Sequence, residues 1–136
     1  MKIDLPSIAD QQLFVFQQST RAAIEQLTAN LEAPRFPPQT AVDEAQYSRA
    51  HLLREREGWQ APAPEIVRAY FEHFQAHFPQ YDTDQALAAL LGLSDKRRIR
   101  AYKKGSETVP YGVWRHFLIS TGRAAQEITP VIAFMG

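Results

Sequence analysis

The feature that most constrains this chain is a glycine set between two short helical patterns within residues 83–121. Apolar residues around it recur at helical spacing and form one face. They are Leu87, Ala88, Leu91 and Leu93. Gly92 is expected to break the first helix, and Ser94 stands where the N-cap of a second helix is expected. The stretch therefore predicts a helix, a tight turn and a second helix.

The second predicted helix, residues 94–104, is strongly basic. Six of its eleven residues are Lys or Arg and only Asp95 is acidic, so its net charge is +5 in a chain of zero formal charge. Ile99 and Tyr102 lie three residues apart and can anchor one face, which leaves most basic side chains pointing outward. Such a helix suits the major groove of DNA, where Arg and Lys neutralise phosphates and contact guanine edges. Gly105 is expected to end it.

Residues 83–122 resemble the helix-turn-helix of the lambda-repressor/Cro-like family, and the likeness extends back to a helix beginning near residue 65. In that family a small residue, here Ala88, lets the two helices cross closely, and a glycine, here Gly92, allows the turn. The spacing from Gly92 to Ile99 is one residue longer than the common pattern. The resemblance rests on Leu87, Ala88, Gly92, Leu93, Ser94, Ile99, Tyr102, Gly105, Pro110, Trp114, Phe117, Leu118 and Gly122.

The resemblance and the charge pattern together predict a DNA-contacting surface on the second helix. Residues of its first turns are expected to read base edges, because these turns enter the groove most deeply. They are Lys96, Arg97 and Arg100. Phosphate contacts are expected from Arg98, Lys103 and Lys104, and Ser94 completes the predicted site. The following helix, residues 111–121, should turn Trp114, Phe117 and Leu118 inward and Arg115 and His116 outward.

The predicted function is that of a sequence-specific DNA-binding regulator, with repression as the expected outcome. Activator and antitoxin roles stay open, as does a protein-interaction module on the same scaffold. No enzyme is expected, since the chain has no glycine-rich phosphate loop, no cysteine nucleophile and no serine beside a plausible histidine and acid. His73 and His77 have the spacing of metal ligands but lack a third, so neither a metal nor a cofactor is expected.

Length, composition and charge limit the class of protein that this chain can be. A chain of 136 residues is the size of one domain, or of one small domain with an arm. It has no cysteine, no apolar run of membrane-spanning length and no signal peptide at its N-terminus, which predicts a soluble cytoplasmic protein. Residues 1–80 carry a net charge of −3 and residues 81–136 a net charge of +3, so the zero total hides a basic C-terminal half.

The first sixty residues predict a helical region that precedes the bundle. Residues 9–31 carry a helical stripe of alternating three- and four-residue spacing, which suits either a core-facing helix or a dimerisation helix. The stripe consists of Leu13, Gln17, Thr20, Ile24, Leu27 and Leu31. A proline-rich loop over 33–40 and a second helix over 42–57, ending at Gly58, are expected to follow.

The remaining segments complete the predicted organisation. Pro64 is expected to open a helix over 65–78 with a wide aromatic face, which would be the first helix of the bundle. The apolar tail, residues 126–136, is expected to pack on the body or on a partner. The prediction is thus an N-terminal helical region over 1–60, a DNA-binding bundle over 61–125 and a tail. A homodimer is expected, paired through the 13–31 stripe and the tail.

Overall fold

The computed structural model describes residues 3–136. Over these residues the chain forms five α-helices, four 3₁₀ turns and no β-strand, which confirms the predicted all-α class. No helix within the described residues is long and apolar enough to cross a lipid bilayer. The helices are α1 (Ile8–Asn30), α2 (Pro64–His77), α3 (Asp84–Leu90), α4 (Lys96–Lys104) and α5 (Tyr111–Ser120).

The described chain divides into two compact units. One unit is Pro38–Glu127 and contains α2 to α5; the other joins the segment up to Pro37, with α1, to Ile128–Gly136. Residues 38–60 therefore lie with the bundle, and not in the N-terminal region where the sequence placed them. The reason is packing, since Val42, Tyr47, Leu52 and Trp59 all contact the core of the bundle.

The core of the Pro38–Glu127 unit is built from one face of each of its four helices. The aromatic face of α2 is buried as predicted, although Phe74 is only half-buried. Ala88 is fully buried on α3, and α3 and α4 pack closely, which the predicted close crossing requires. The least exposed large side chains are Ile66, Val67, Tyr70, Phe71, Leu87, Ile99, Tyr102, Val109, Trp114, Phe117 and Leu118.

Glycines end α3 and α4 at the predicted positions. Gly92 has φ +73° and Gly105 has φ +84°, a region that side chains with a Cβ atom rarely adopt. Gly105 has a second reason to be glycine, since a Cβ atom there would lie 2.5 Å from Cγ of Pro64. The N-terminus of α2 thus packs against the C-terminal end of α4.

The N-cap of α4 differs from the expectation. Asp95, not Ser94, caps the helix, and its Oδ1 accepts a hydrogen bond from the Arg97 backbone N–H at 2.9 Å. The connection from α3 is therefore one residue longer than a Ser94 cap would allow. Ser94 is an exposed residue of this connection.

The predicted helix over 42–57 is wrong. The segment forms three 3₁₀ turns, Glu44–Gln46, Ala50–Leu52 and Glu55–Glu57, the last ending at Gly58 with φ +95°. Asp43 and Ser48 accept hydrogen bonds from backbone N–H groups two residues ahead, and such local bonds compete with a continuous helix. The turns place Tyr47 and Leu52 against the core separately.

The second unit contrasts with the bundle in its burial. None of the 23 residues of α1, all within the described chain, is buried. From the tail, Phe134 lies against Phe16 of α1 with 5.5 Å between the ring centroids. Ile132 and Met135 stay 99% and 92% exposed, so the predicted packing of the tail is limited to part of it.

Candidate nucleic-acid interface

Helix α4 has a buried apolar face and a basic exposed face. Ile99 and Tyr102 are 0% and 1% exposed, as the sequence predicted. Successive residues of a helix are rotated by about 100°, so the side opposite this pair is centred on Arg97, Ala101 and Lys104. Arg98 and Arg100 flank this side.

Three carboxylates neutralise part of this charge. Arg97 Nε lies 3.5 Å from Asp95 Oδ2, and Arg98 Nη1 lies 3.5 Å from Glu107 Oε2. Asp84, the first residue of α3, forms ion pairs with both Arg100 and Lys103. Lys96 and Lys104 are exposed, and neither forms an ion pair with a carboxylate of residues 3–136. Six cations against three acids still leave α4 and its partners with a net charge of +3.

Lys103, which was expected to contact a phosphate, is instead held between neighbouring helices. Its Nζ donates hydrogen bonds of 2.8 Å to both Asp84 Oδ1 and Gln75 Oε1, and only 15% of its side chain is exposed. The helical rotation explains this position, because Lys103 follows Ile99 by four residues and so lies on the inner side of α4. Lys103 ties α4 to α2 and α3.

Asp84 is the most constrained charged group of this surface. Its Oδ1 also accepts from Gln75 Nε2 at 3.2 Å, and its Oδ2 accepts from Arg100 Nε at 3.4 Å. Burial raises the pKa of Asp84, but the hydrogen bonds from Lys103, Gln75 and Arg100 and the charge of Lys103 outweigh burial and lower it overall. No signal in the sequence pointed to this cluster, because Gln75 and Lys103 lie 9 and 19 residues from Asp84 along the chain.

The predicted base-reading residues lie on the exposed part of α4. The Arg97 and Arg100 side chains are 88% and 55% exposed, and Arg98 is 58% exposed. Lys96 is in the first turn, where its backbone N–H donates to Gln85 Oε1 of α3 at 3.4 Å. The structure thus leaves five cations of α4 exposed to solvent, with Ser94 exposed just before the helix and Lys103 half-buried; the five are Lys96, Arg97, Arg98, Arg100 and Lys104.

A buried polar network, which the sequence did not predict, joins the 3₁₀ segment to α2 and α5. His51 is 3% exposed, and its Nδ1 accepts a hydrogen bond from Trp114 Nε1 at 3.2 Å. Burial lowers the pKa of His51, and the neutral imidazole is the form that can accept this bond. The Tyr70 hydroxyl donates to Glu44, and the Arg123 guanidinium lies 4.1 Å from the Tyr70 ring centre.

Arg115 is half-buried and hydrogen-bonded to the backbone, against the expectation of an outward charge. It donates hydrogen bonds to the backbone carbonyl oxygens of Leu52 at 3.4 Å and Ala125 at 3.2 Å. These bonds attach the segments before and after the bundle to α5. His116 is exposed as predicted.

The histidine pair of α2 is close but incomplete as a metal site. The ring centroids of His73 and His77 are 4.4 Å apart, and His77 Nδ1 is hydrogen-bonded to the His73 backbone carbonyl at 2.9 Å. Within residues 3–136, no three His, Asp or Glu side chains gather in a way that could hold a metal ion.

The arrangement can do two things chemically. It can attract a polyanion through the exposed cations of α4, and it can present guanidinium groups in a fixed place, because the inner face of the helix is locked in the core. Comparison with protein-family models, with curated proteins and with solved structures finds no match to this chain.

Proposed function

We propose that this protein binds double-stranded DNA sequence-specifically, through a helix-turn-helix formed by α3 and α4, and acts as a transcriptional repressor. The observation that carries the proposal is the division of α4 into a fully buried pair, Ile99 and Tyr102, and an exposed face rich in Arg and Lys. A helix about 10–12 Å in diameter fits a major groove about 12 Å wide.

The exposed cations fall into two groups by their position on α4. Lys96, Arg97 and Arg100 lie in the first turns, and we assign them to base edges. Arg98 and Lys104 lie beside or beyond them, and we assign them to phosphates. Lys103 leaves the proposed contact set, because its Nζ is held between Asp84 and Gln75. Ser94 stays in the set as an exposed neighbour of the first turn.

The ion pairs of α4 are compatible with this proposal. Exposed pairs contribute little free energy, at most about 1 kcal/mol each, because water screens both charges. A phosphate can therefore compete with Asp95 for Arg97 and with Glu107 for Arg98 at small cost. The near-neutral pI of about 6.9 is likewise no objection, because charge is concentrated on one helix.

A homodimer completes the proposal. One recognition helix covers only a few base pairs, so two copies on half-sites about 10 base pairs apart, or a multiple of that, are needed for useful specificity. The unburied α1 and the exposed apolar residues of the tail supply a surface for pairing. Light scattering at micromolar concentration tests this part, and a monomer mass contradicts it.

Selection of bound duplexes from a random pool tests the DNA-binding proposal. The expected result is a palindromic site whose affinity falls steeply as salt rises, because cations on α4 release counterions from the phosphates. Arg97→Ala should cost about 1–3 kcal/mol of binding free energy and relax preference at one position. Lys104→Ala should weaken all duplexes alike and reduce the slope of log affinity against log salt by about one.

Arg68→Ala provides a matched control. Arg68 is an exposed arginine of α2 in the same compact unit, so its loss removes the same charge from a helix other than α4. Its selected site and affinity should match those of the parent protein. If Arg97→Ala also behaves like the parent, the basic face of α4 is only a solvated surface, and the protein-interaction module becomes the better proposal.

A further inference from the structure

Asp84 is held more rigidly than any other carboxylate beside α4. Its side chain is 20% exposed, and its two oxygens receive hydrogen bonds from Lys103, Gln75 and Arg100. These partners belong to α2 and α4, and Asp84 itself begins α3, so the carboxylate stands where three helices meet. A group fixed from three sides can in turn fix the group it contacts.

Arg100 meets this carboxylate through Nε only. Nε lies 3.4 Å from Asp84 Oδ2, while the side chain as a whole remains 55% exposed. A guanidinium is planar and has five N–H donors, one on Nε and four on the terminal nitrogens. Binding at Nε therefore restricts the plane of the group and leaves the Nη1–Nη2 end free. That end is the edge that bonds O6 and N7 of guanine together.

The other two arginines of the exposed face are held differently. Arg98 bonds Glu107 through Nη1, so a terminal nitrogen is already used. Arg97 bonds Asp95 through Nε, but its side chain is 88% exposed and the Asp95 side chain 45% exposed, so water screens this pair and it holds the guanidinium only weakly. Only Arg100 combines a free terminal edge with a largely buried carboxylate behind it.

We propose that Asp84 is a positioning residue that orients Arg100 for bidentate recognition of one guanine in each half-site. This inference rests on the proposed DNA binding and deepens it, because it names the base and the residue pair that selects it. Pre-orientation matters because a free arginine side chain loses conformational entropy on binding, and a fixed one loses less. Asp84 contacts no base.

Asp84→Asn separates positioning from folding. If the amide oxygen stays with Lys103, the amide NH₂ faces Arg100 Nε and cannot accept its hydrogen bond. Duplex selection should give a guanine at one half-site position for the parent. Arg100→Ala should reduce preference for that guanine by about 5- to 100-fold. Asp84→Asn should reduce the preference at the same position and leave the other positions unchanged.

Lys103→Gln is the matched control, because it removes the other cation of Asp84 without touching Arg100. It should lower the melting temperature, as Asp84→Asn does, yet keep the guanine preference. A purely structural role for Asp84 would instead make the two variants alike in both measurements, and that result would overturn the inference.

Two further outcomes of the selection bear on the inference. A guanine preference that disappears in Arg100→Ala but persists in Asp84→Asn shows that Arg100 reads the base without help, and overturns it. A selected site that Arg100→Ala leaves unchanged overturns it as well. If the parent protein selects no duplex at all, the proposed function fails first, and the positioning role fails with it.

Discussion

Helices α1 and α2 have the same kind of sequence pattern but differ in how much of it is buried. Both carry apolar residues at helical spacing and both form as predicted within a residue of their expected ends. The shorter one, α2 (Pro64–His77), buries six residues, whereas α1 (Ile8–Asn30), with 23 residues, buries none. An apolar stripe at helical spacing therefore predicts that a helix forms, but it does not predict whether the apolar face is buried or against which element.

The difference lies in the density and size of the apolar side chains. The buried face of α2 includes Ile66, Tyr70 and Phe71, which belong to one core cluster with buried residues of α3, α4 and α5. The stripe of α1 has polar residues at Gln17 and Thr20, and Ile24 stays 59% exposed. The stripe of α1 is therefore interrupted by polar residues at its centre, and α1 buries none of its residues. The predictions below test this division, from the largest expected effect to the smallest.

Trp114→Ala should destabilise the bundle most. The ring is fully buried against Tyr70 and Phe71, and its removal also leaves His51 Nδ1 without its donor. We expect a loss of about 3–5 kcal/mol in the free energy of unfolding. Urea denaturation followed by far-ultraviolet circular dichroism measures it, since the variant retains only Trp59. A midpoint equal to the parent's would show that Trp114 is not a core residue.

Ala88→Leu should cost less, about 1–3 kcal/mol, because the larger side chain must push α3 and α4 apart. Ala88 is 0% exposed. Ala89→Leu is the control on the same helix, since Ala89 is exposed and should tolerate the change. Thermal denaturation compares the two. Equal melting temperatures would mean that α3 and α4 do not cross closely at Ala88.

Acidification should destabilise the bundle without any substitution. Burial lowers the pKa of His51 below 6.5, reinforced by Arg49 and Arg123 and opposed by Glu44. A histidine with a lowered pKa contributes its full stability above pH 6.5 and loses it as pH falls, because the unfolded chain then binds the proton first. The urea midpoint should therefore decline from pH 7 towards pH 5.

His51→Gln should remove the part of this decline that belongs to His51, and His116→Gln, at an exposed position, should leave it intact. Asp84 and Glu44 also have lowered pKa values, but as carboxylates they lose stability only near and below their ordinary values of 3.8 and 4.5. A midpoint independent of pH between 7 and 5 would mean that His51 is not held neutral.

Ile24→Ala on α1 should have the smallest effect on the bundle. Ile24 is 59% exposed, so the free energy of unfolding of the Pro38–Glu127 unit should change by less than about 0.5 kcal/mol. Tryptophan fluorescence isolates this unit, because Trp59 and Trp114 both lie in it. The same variant should raise the dimer dissociation constant in analytical ultracentrifugation, because α1 is the proposed pairing surface. An unchanged dissociation constant would remove α1 from the interface.

The fold of the bundle was largely predictable because its signals are local. Proline at the start of α2, glycines after α3 and α4, and apolar residues three and four apart act within one or two helical turns. The wrong prediction of a helix over 42–57 also has a local cause. Asp43 and Ser48 offer the backbone local hydrogen bonds that periodicity does not reveal, so short turns replace a helix.

The sequence predicted that the candidate interface is a basic helix. It did not predict which cations of this helix pair with carboxylates. Sequence by itself determined the all-α class, the anchoring of α4 by Ile99 and Tyr102, and the concentration of charge on that helix. Only the tertiary structure decided that Lys103 bonds Asp84, 19 residues away along the chain, and that Arg100 shares the same carboxylate. Periodicity places a side chain on a face of its own helix, but long charged side chains choose their partners from whichever helices pack beside them.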